Sequence, residues 1–238
     1  MRNLYGLAGA DVCRKFGQIG GGLMVYTEQF KTREEWLAGR HRIGGSEAAS
    51  IVGLNPYMTN VELWEIKTGR RQRTNLDDNP FVEYGRKAEE YLRELFKLDF
   101  PQFNLHYIEN NLWTNDRFPF GHASLDGWLT DENGRLGILE IKTTNILQSM
   151  QKEKWNHRIP DNYYIQLLHY LAITEADFAI LKAQLKYDYD GEIFLNTKHY
   201  TIERADVEAD IDYLMQEESR FYKAIKSDEM PALVLPEI

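Results

Sequence analysis

The run Leu136-Gly137-Ile138-Leu139-Glu140-Ile141-Lys142-Thr143 places two charged side chains, two residues apart, inside an otherwise apolar stretch. In an extended strand successive side chains point to opposite faces, so Glu140 and Lys142 share one face while Leu139 and Ile141 take the other, toward a core. The preceding Asp131-Glu132-Asn133-Gly134 is turn-forming, and Ala123 to Leu129 before it has strand character. Together they read as a β-hairpin. That hairpin sets Asp126 on the first strand beside Glu140 on the second, so two carboxylates and an ammonium meet on one sheet face. Adjacent carboxylates repel, and a hard divalent cation with oxygen ligands is the usual way to hold them together; Mg²⁺ fits, with Mn²⁺ as the alternative. A neighbouring lysine then orients or deprotonates an attacking water, or stabilises charge developing on a phosphate. The same three residues on a solvated face would make only a weak surface ion pair, and the short Asp…Glu-x-Lys pattern does not by itself decide between the two.

Around this hairpin several helices are marked by their ends. Ser46 is the expected N-cap of a short helix stopped by Gly53. Thr59-Asn60-Val61-Glu62 has the capping-box pattern before Leu63, Trp64 and Ile66. Asn79-Pro80 opens a longer helix running to about Leu98, and Pro160-Asp161 opens another whose Tyr164, Leu167, Leu168 and Leu171 form an apolar stripe up to Thr174. In that last helix Gln166, Tyr170 and Tyr163 form a polar-aromatic stripe on the opposite side, suited either to the active site or DNA or to a half-exposed helix face. Phe178 to Tyr187 and Glu192 to Ile202, split by Asp188-Tyr189-Asp190-Gly191, read as a second hairpin. Helices, strands, helix, strands, helix in that order predict an α/β (α+β) fold: a central mixed β-sheet flanked by helices.

No Pro-, Ser- or Gly-rich linker divides the chain after Tyr26, so residues 24–238 read as one domain. Residues 1–23, Gly-rich and without periodicity, are expected to be a flexible leader. The formal net charge is −9, which excludes a surface uniformly positive for nucleic acid or lipid but leaves room for a local basic groove. Most of that acidity lies beyond Glu203, where Val207, Ile211, Leu214, Phe221 and Ile225 recur at the spacing of an amphipathic helix. Lys67, Arg70, Arg71 and Arg73 form the densest basic cluster; charge complementing a helix C-terminus is favoured over contact with backbone phosphates. The single cysteine, Cys13, excludes an intrachain disulfide, a Cys-rich zinc site and a four-cysteine iron–sulfur cluster, and points to a reducing, cytoplasmic setting. No apolar run is long enough for a membrane span, and no phosphate-binding loop of the ATPase type occurs.

Five blocks carry a resemblance. Trp36-Leu37-Ala38-Gly39-Arg40-His41-Arg42-Ile43-Gly44-Gly45-Ser46-Glu47-Ala48-Ala49, Gly85-Arg86-Lys87-Ala88-Glu89, Ser124-Leu125-Asp126-Gly127, Leu139-Glu140-Ile141-Lys142-Thr143 and Tyr164-Ile165-Gln166-Leu167-Leu168-His169-Tyr170 follow one another in order. In this the chain resembles the YqaJ-type viral recombinases, which include the phage lambda-type exonucleases of the PD-(D/E)xK nuclease superfamily. The resemblance implies Glu89, Asp126 and Glu140 as metal-binding carboxylates, with the Ile141 carbonyl as a further ligand, Lys142 as the catalytic lysine and up to two Mg²⁺ ions. Gln166 matches a motif position, and Tyr170 beside it is a candidate DNA contact. Arg40 and Ser46 match positions that bind a terminal 5′ phosphate, with Arg42 the rival of Arg40. The implied activity is 5′-to-3′ exonuclease digestion of linear double-stranded DNA, leaving 3′ single strands for phage-type homologous recombination. A homo-trimeric ring and a single-strand annealing protein as partner are further implications. A structure- or sequence-specific endonuclease of the same fold, or a catalytically silent DNA-binding protein, are the alternatives.

Overall fold

The structure, a computed structural model, describes residues 10–18, 24–76, 78–147 and 149–235. In chain order its elements are β1 (Ala10–Gln18), β2 (Met24–Phe30), α1 (Arg33–Gly39), β3 (Ile43–Gly44), α2 (Gly45–Ile51), α3 (Asn60–Lys67), α4 (Pro80–Asp99), β4 (Asn104–His106), β5 (Asn111–Asn115), β6 (Gly121–His122), β7 (Gly127–Thr130), β8 (Leu136–Ile146), α5 (Ser149–Glu153), α6 (Asp161–Thr174), β9 (Phe178–Tyr189), β10 (Glu192–Glu203) and α7 (Glu208–Ser227). Five strands form the main sheet in the order β10-β9-β8-β7-β4. Its centre is the parallel pair β8–β9, flanked by the antiparallel pairs β7–β8 and β9–β10. A parallel pair needs a crossover connection, and α5 and α6 supply it. The sheet is therefore mixed and flanked by helices, as the order of elements predicts.

Strand β8 is covered on both faces. On one side Leu139 and Ile141 pack with Leu92 and Phe96 of α4, together with Leu129, Phe178 and Ile180. On the other side Ile138 packs with Leu167, Leu168 and Leu171 of α6 and with Leu181, Ala183 and Leu185 of β9. Glu140 thus faces a helix rather than water and is 2% exposed, whereas Lys142 is partly exposed. Helices α3, α4 and α6 begin where their end signals place them: Thr59 and Glu62 make the reciprocal capping box, and Asn79 accepts the Phe81 N–H ahead of Pro80.

Two local expectations are corrected. Ser46 is the second residue of α2, not its N-cap, because the Glu47 carboxylate reaches back to the Gly44 N–H at 2.9 Å and fixes Gly44 in the cap position. Asp126 stands just before β7 rather than within a strand running from Ala123. Its carbonyl is taken by Arg93 at 2.7 Å and its carboxylate by the Ile141 N–H at 2.8 Å, which turns the backbone out of the ladder. Within the stretch expected to be a flexible leader, Ala10–Gln18 forms β1, paired antiparallel with β2; the rest of that stretch lies outside the described residues.

The acidic C-terminal helix docks through a buried ion pair. His169 of α6 places Nδ1 2.7 Å from Glu218 of α7 and Nε2 2.9 Å from the His122 carbonyl, both side chains of the pair being fully buried. Burial alone would lower the His169 pKa, but the Glu218 carboxylate and the two hydrogen bonds outweigh it and raise the pKa. A histidine whose folded pKa lies above its unfolded value contributes stability that is complete below about pH 6.5 and fades as pH rises through the folded pKa. Glu218→Gln is therefore expected to cost about 3 kcal/mol in urea unfolding at pH 6, and distinctly less at pH 9. A penalty that stays constant or grows with pH would contradict a charged His169.

Candidate active site

Glu140, Lys142, Asp126 and Glu89 come together at the end of the β7–β8 hairpin nearest α4. The alternation of β8 sets Glu140 and Lys142 side by side, Lys142 Nζ lying 2.6 Å from Glu140 Oε1. Gln166 reaches down from α6, its Nε2 donating to the same oxygen at 2.7 Å and to the Tyr170 hydroxyl at 3.0 Å. Glu140 Oε2 is buried without a hydrogen-bond partner. Glu89 arrives from α4, one turn after Gly85, where a Cβ would stand 3.0 Å from Thr143 Oγ1 on β8. Arg93, one turn further along α4, joins the parts: Nη2 meets Glu89 Oε1 at 2.5 Å while Nε holds the Asp126 carbonyl.

The crowding shows in the acidities. Burial, then the Asp126 charge, push the Glu140 carboxyl above the usual carboxylate range against the pull of Lys142. The same two causes raise Glu89 to about 7 despite Arg93 and Lys142. Burial also raises Asp126. For Lys142 burial acts downward, but Glu140 and Asp126 outweigh it, so the ammonium is held protonated. As placed, no three acidic, histidine or cysteine side chains among the described residues close into a finished ligand cage. The donor set nevertheless suits a hard cation: it is all oxygen, its members repel one another, and one buried oxygen lacks a partner.

A cleft of about 890 Å³ opens on this centre, lined by Glu89, Asp126, Ile141 and Lys142 on one side and by Arg71, Gln72, Arg73 and Thr74 on the other. Arg71 and Arg73 belong to the basic cluster, with Lys67 and Arg70, for which the sequence favours a role at a helix C-terminus. Arg71 is paired with Glu62 and Glu65, and Arg70 with Asp228, as that role predicts. Lys67 and Arg73, however, both converge on Glu47, which is 4% exposed and held below the usual carboxylate range because the two cations outweigh its burial. Beside them Arg40 follows α1, its guanidinium 4.3 Å over the Trp36 ring and its Nε 3.4 Å from His122 Nε2. Among the described residues it has no carboxylate partner, and burial lowers its pKa. Arg42 likewise has a buried, unpartnered Nη1.

The structure thus assembles Glu89, Asp126, Glu140, Lys142 and Gln166, with Ile141 beside them. It sets Arg40, Arg42 and Ser46 apart from the cleft lining, on the connection through α1 and α2, and leaves Ser46 exposed. Tyr170 is 5% exposed, so it braces Gln166 from behind rather than offering a face to a duplex. Its ring occupies the space over Gly45, where a Cβ would lie 2.4 Å from Tyr170 Cε1. The convergence of Lys67 and Arg73 on Glu47 is what the sequence does not reveal, because a pairing between separate segments has no local pattern.

Because the acidic centre is self-repelling, Asp126→Asn, which keeps an oxygen for the Ile141 N–H, is expected to stabilise the protein by up to about 2 kcal/mol in EDTA at pH 8, read as a higher Tm by calorimetry. A lower Tm would mean that the carboxylates are not in mutual conflict.

The YqaJ-like viral recombinase domain matches residues 35–177. The protein described as "Uncharacterized protein YqaJ" of Bacillus subtilis (strain 168) is 30% identical over 156 residues, 63% of this chain and 46% of that protein, so the chain spans about half the length of this curated relative. The alkaline exonuclease LHK-Exo of Laribacter hongkongensis superposes with a TM-score of 0.56 at 18% identity, covering 82% of this chain and 93% of that one. Its complex with dAMP gives the same TM-score at 17% identity and the same coverage. At such identities the likeness is one of fold: the sheet and helices of this chain are arranged as in that protein. With the domain match covering more than half of its length, the chain belongs to the YqaJ-like viral recombinase family.

Proposed function

We propose that this protein is a metal-dependent deoxyribonuclease that degrades linear duplex DNA from a 5′-phosphorylated end and leaves a 3′ single strand for recombination. The observation that carries the reading is the juxtaposition of Asp126, Glu89 and a protonated Lys142 lining an open cleft with the buried Glu140 beside Lys142. Glu89, Asp126 and Glu140, with the Ile141 carbonyl, are the groups that would hold Mg²⁺, or Mn²⁺ in its place. Bound there, the ion would supply an activated water and charge stabilisation at the leaving oxygen. Lys142, kept charged by its neighbours, serves as a fixed cation for the phosphate rather than as a proton acceptor. Gln166 fixes one Glu140 oxygen and so leaves Oε2 free to face the cation. The fold likeness to alkaline exonucleases supports end-directed DNA hydrolysis, and family membership supports a role in recombination. The cations around Glu47, with Arg40 unpaired by any carboxylate among the described residues, are the place for the terminal phosphate. The setting is the cytoplasm of a bacterial or phage-infected cell; among the described residues no helix is long and apolar enough to cross a membrane. A trimeric ring and a single-strand annealing partner belong to the same proposal.

Digestion of 5′-phosphorylated linear duplex beside covalently closed circles, with Mg²⁺ or with EDTA, tests it. The linear DNA alone should disappear, only with Mg²⁺, and Lys142→Ala should slow digestion by about 10²-fold or more. Cutting of the circle would establish an endonuclease instead. Loss of neither substrate under metal would leave a DNA-binding protein.

A further inference from the structure

We infer that His122 is a positioning residue that, with Trp36, aims the Arg40 guanidinium so that its two terminal nitrogens are presented to an anion. The inference rests on the proposed reading of Arg40 as a ligand of the 5′ phosphate. Arg40 touches the protein through two parts of its head: its face lies on Trp36, and its inner Nε–H points at His122 Nε2. Neither Nη atom has a hydrogen-bond or ion-pair partner among the described residues, so the forked edge that recognises a phosphate is the edge left open. Both supports are themselves fixed. The Trp36 indole N–H donates to the Asn111 carbonyl at 2.9 Å. His122 lies on β6, paired in parallel with β3, is 2% exposed, and its carbonyl accepts from His169 at 2.9 Å.

The chemistry of the imidazole fits this role. Burial and the nearby Arg40 charge hold His122 well below the usual histidine range, hence neutral. A neutral ring that accepts at Nε2 carries its proton on Nδ1. That nitrogen is buried without a partner, an unfavourable arrangement. With Nδ1 unpartnered, the one side-chain hydrogen bond of the ring among the described residues is the one that Nε2 accepts from Arg40.

The test is binding in EDTA, where no cleavage intervenes, of duplexes bearing a 5′-phosphate or a 5′-hydroxyl, read by fluorescence anisotropy. Wild type should prefer the phosphate by about tenfold or more, and Arg40→Ala should erase that preference. His122→Leu should lower the preference several-fold while leaving affinity for the 5′-hydroxyl duplex unchanged. His122→Gln, whose amide oxygen can accept from Arg40, should restore it, and Arg40→Ala/His122→Leu should be no worse than Arg40→Ala alone. Full preference in His122→Leu, equal weakening at both ends, or failure of the glutamine to rescue would each overturn the role of His122. A wild type without preference, or an Arg40→Ala that keeps it, would overturn the reading of Arg40 and the inference with it.

Discussion

A carboxylate that is almost fully buried has to be partnered, and the arrangement of this site follows from how Glu140 is partnered. Removing an ion from water costs several kcal/mol even after relaxation, and attraction repays this only with close, well-aligned partners. Lys142 comes from the same strand and needs only the two-residue period of β8. Gln166 has to come from elsewhere, and α6, the crossover that the parallel pair β8–β9 requires, brings it. Gln166 then leans on Tyr170, and Tyr170 fits only because position 45 is glycine. The demand for a buried acid on β8 thus extends through α6 to the start of α2.

The two faces of β8 divide the work. Toward α4 the contacts are apolar, with Leu139 and Ile141 against Leu92 and Phe96, and this packing anchors the hairpin. Helix α4 still supplies polar groups from its flank: Glu89 and Arg93 are four residues apart, hence neighbours on one helix face. Arg93 crosses from that flank to the backbone of Asp126, so the helix that seals the core also sets the distance between two of the acids. Toward α6 the contacts near Ile138 are apolar and become polar from Glu140 onward, so the change from core to site takes place along a single strand.

What was legible in the sequence was whatever depends on near neighbours. Capping residues at Thr59 and Asn79, the apolar stripe of α6 and both hairpins are local patterns, and the structure contains each. The carboxylates and Lys142 were found through strand alternation and the order of motifs. Ser46 was misplaced because Ser before a helix usually caps it, whereas here a glutamate three residues beyond the glycine reaches back. Tyr170 was left open between an exposed and a functional position because a tyrosine on the polar side of an amphipathic helix usually faces water; here that side faces the buried end of β8. Lys67 and Arg73 were assigned to solvent because nothing in their own segment announces Glu47, which lies on α2 and becomes their neighbour only when the helices pack.

A net charge of −9 sits beside a cluster of cations without contradiction, since exposed charges are screened beyond about 10 Å. Much of the acidity beyond Glu203 is engaged in attaching α7: Glu208 pairs with Arg204, Asp210 accepts from Tyr164, Glu218 meets His169 and Asp228 meets Arg70. These acids are tied to their own partners and do not neutralise Arg40 or Arg42. The informative quantity is therefore local and concerns pairing. Among the described residues Arg70 and Arg71 are closed off by carboxylates, Lys67 and Arg73 share one, and Arg40 has none. A largely buried guanidinium without an anion is an unfavourable state for a fold to keep, since buried charges are normally paired. An incoming phosphate would complete it, and the stability forgone in the free protein would reappear as selectivity for a phosphorylated DNA end.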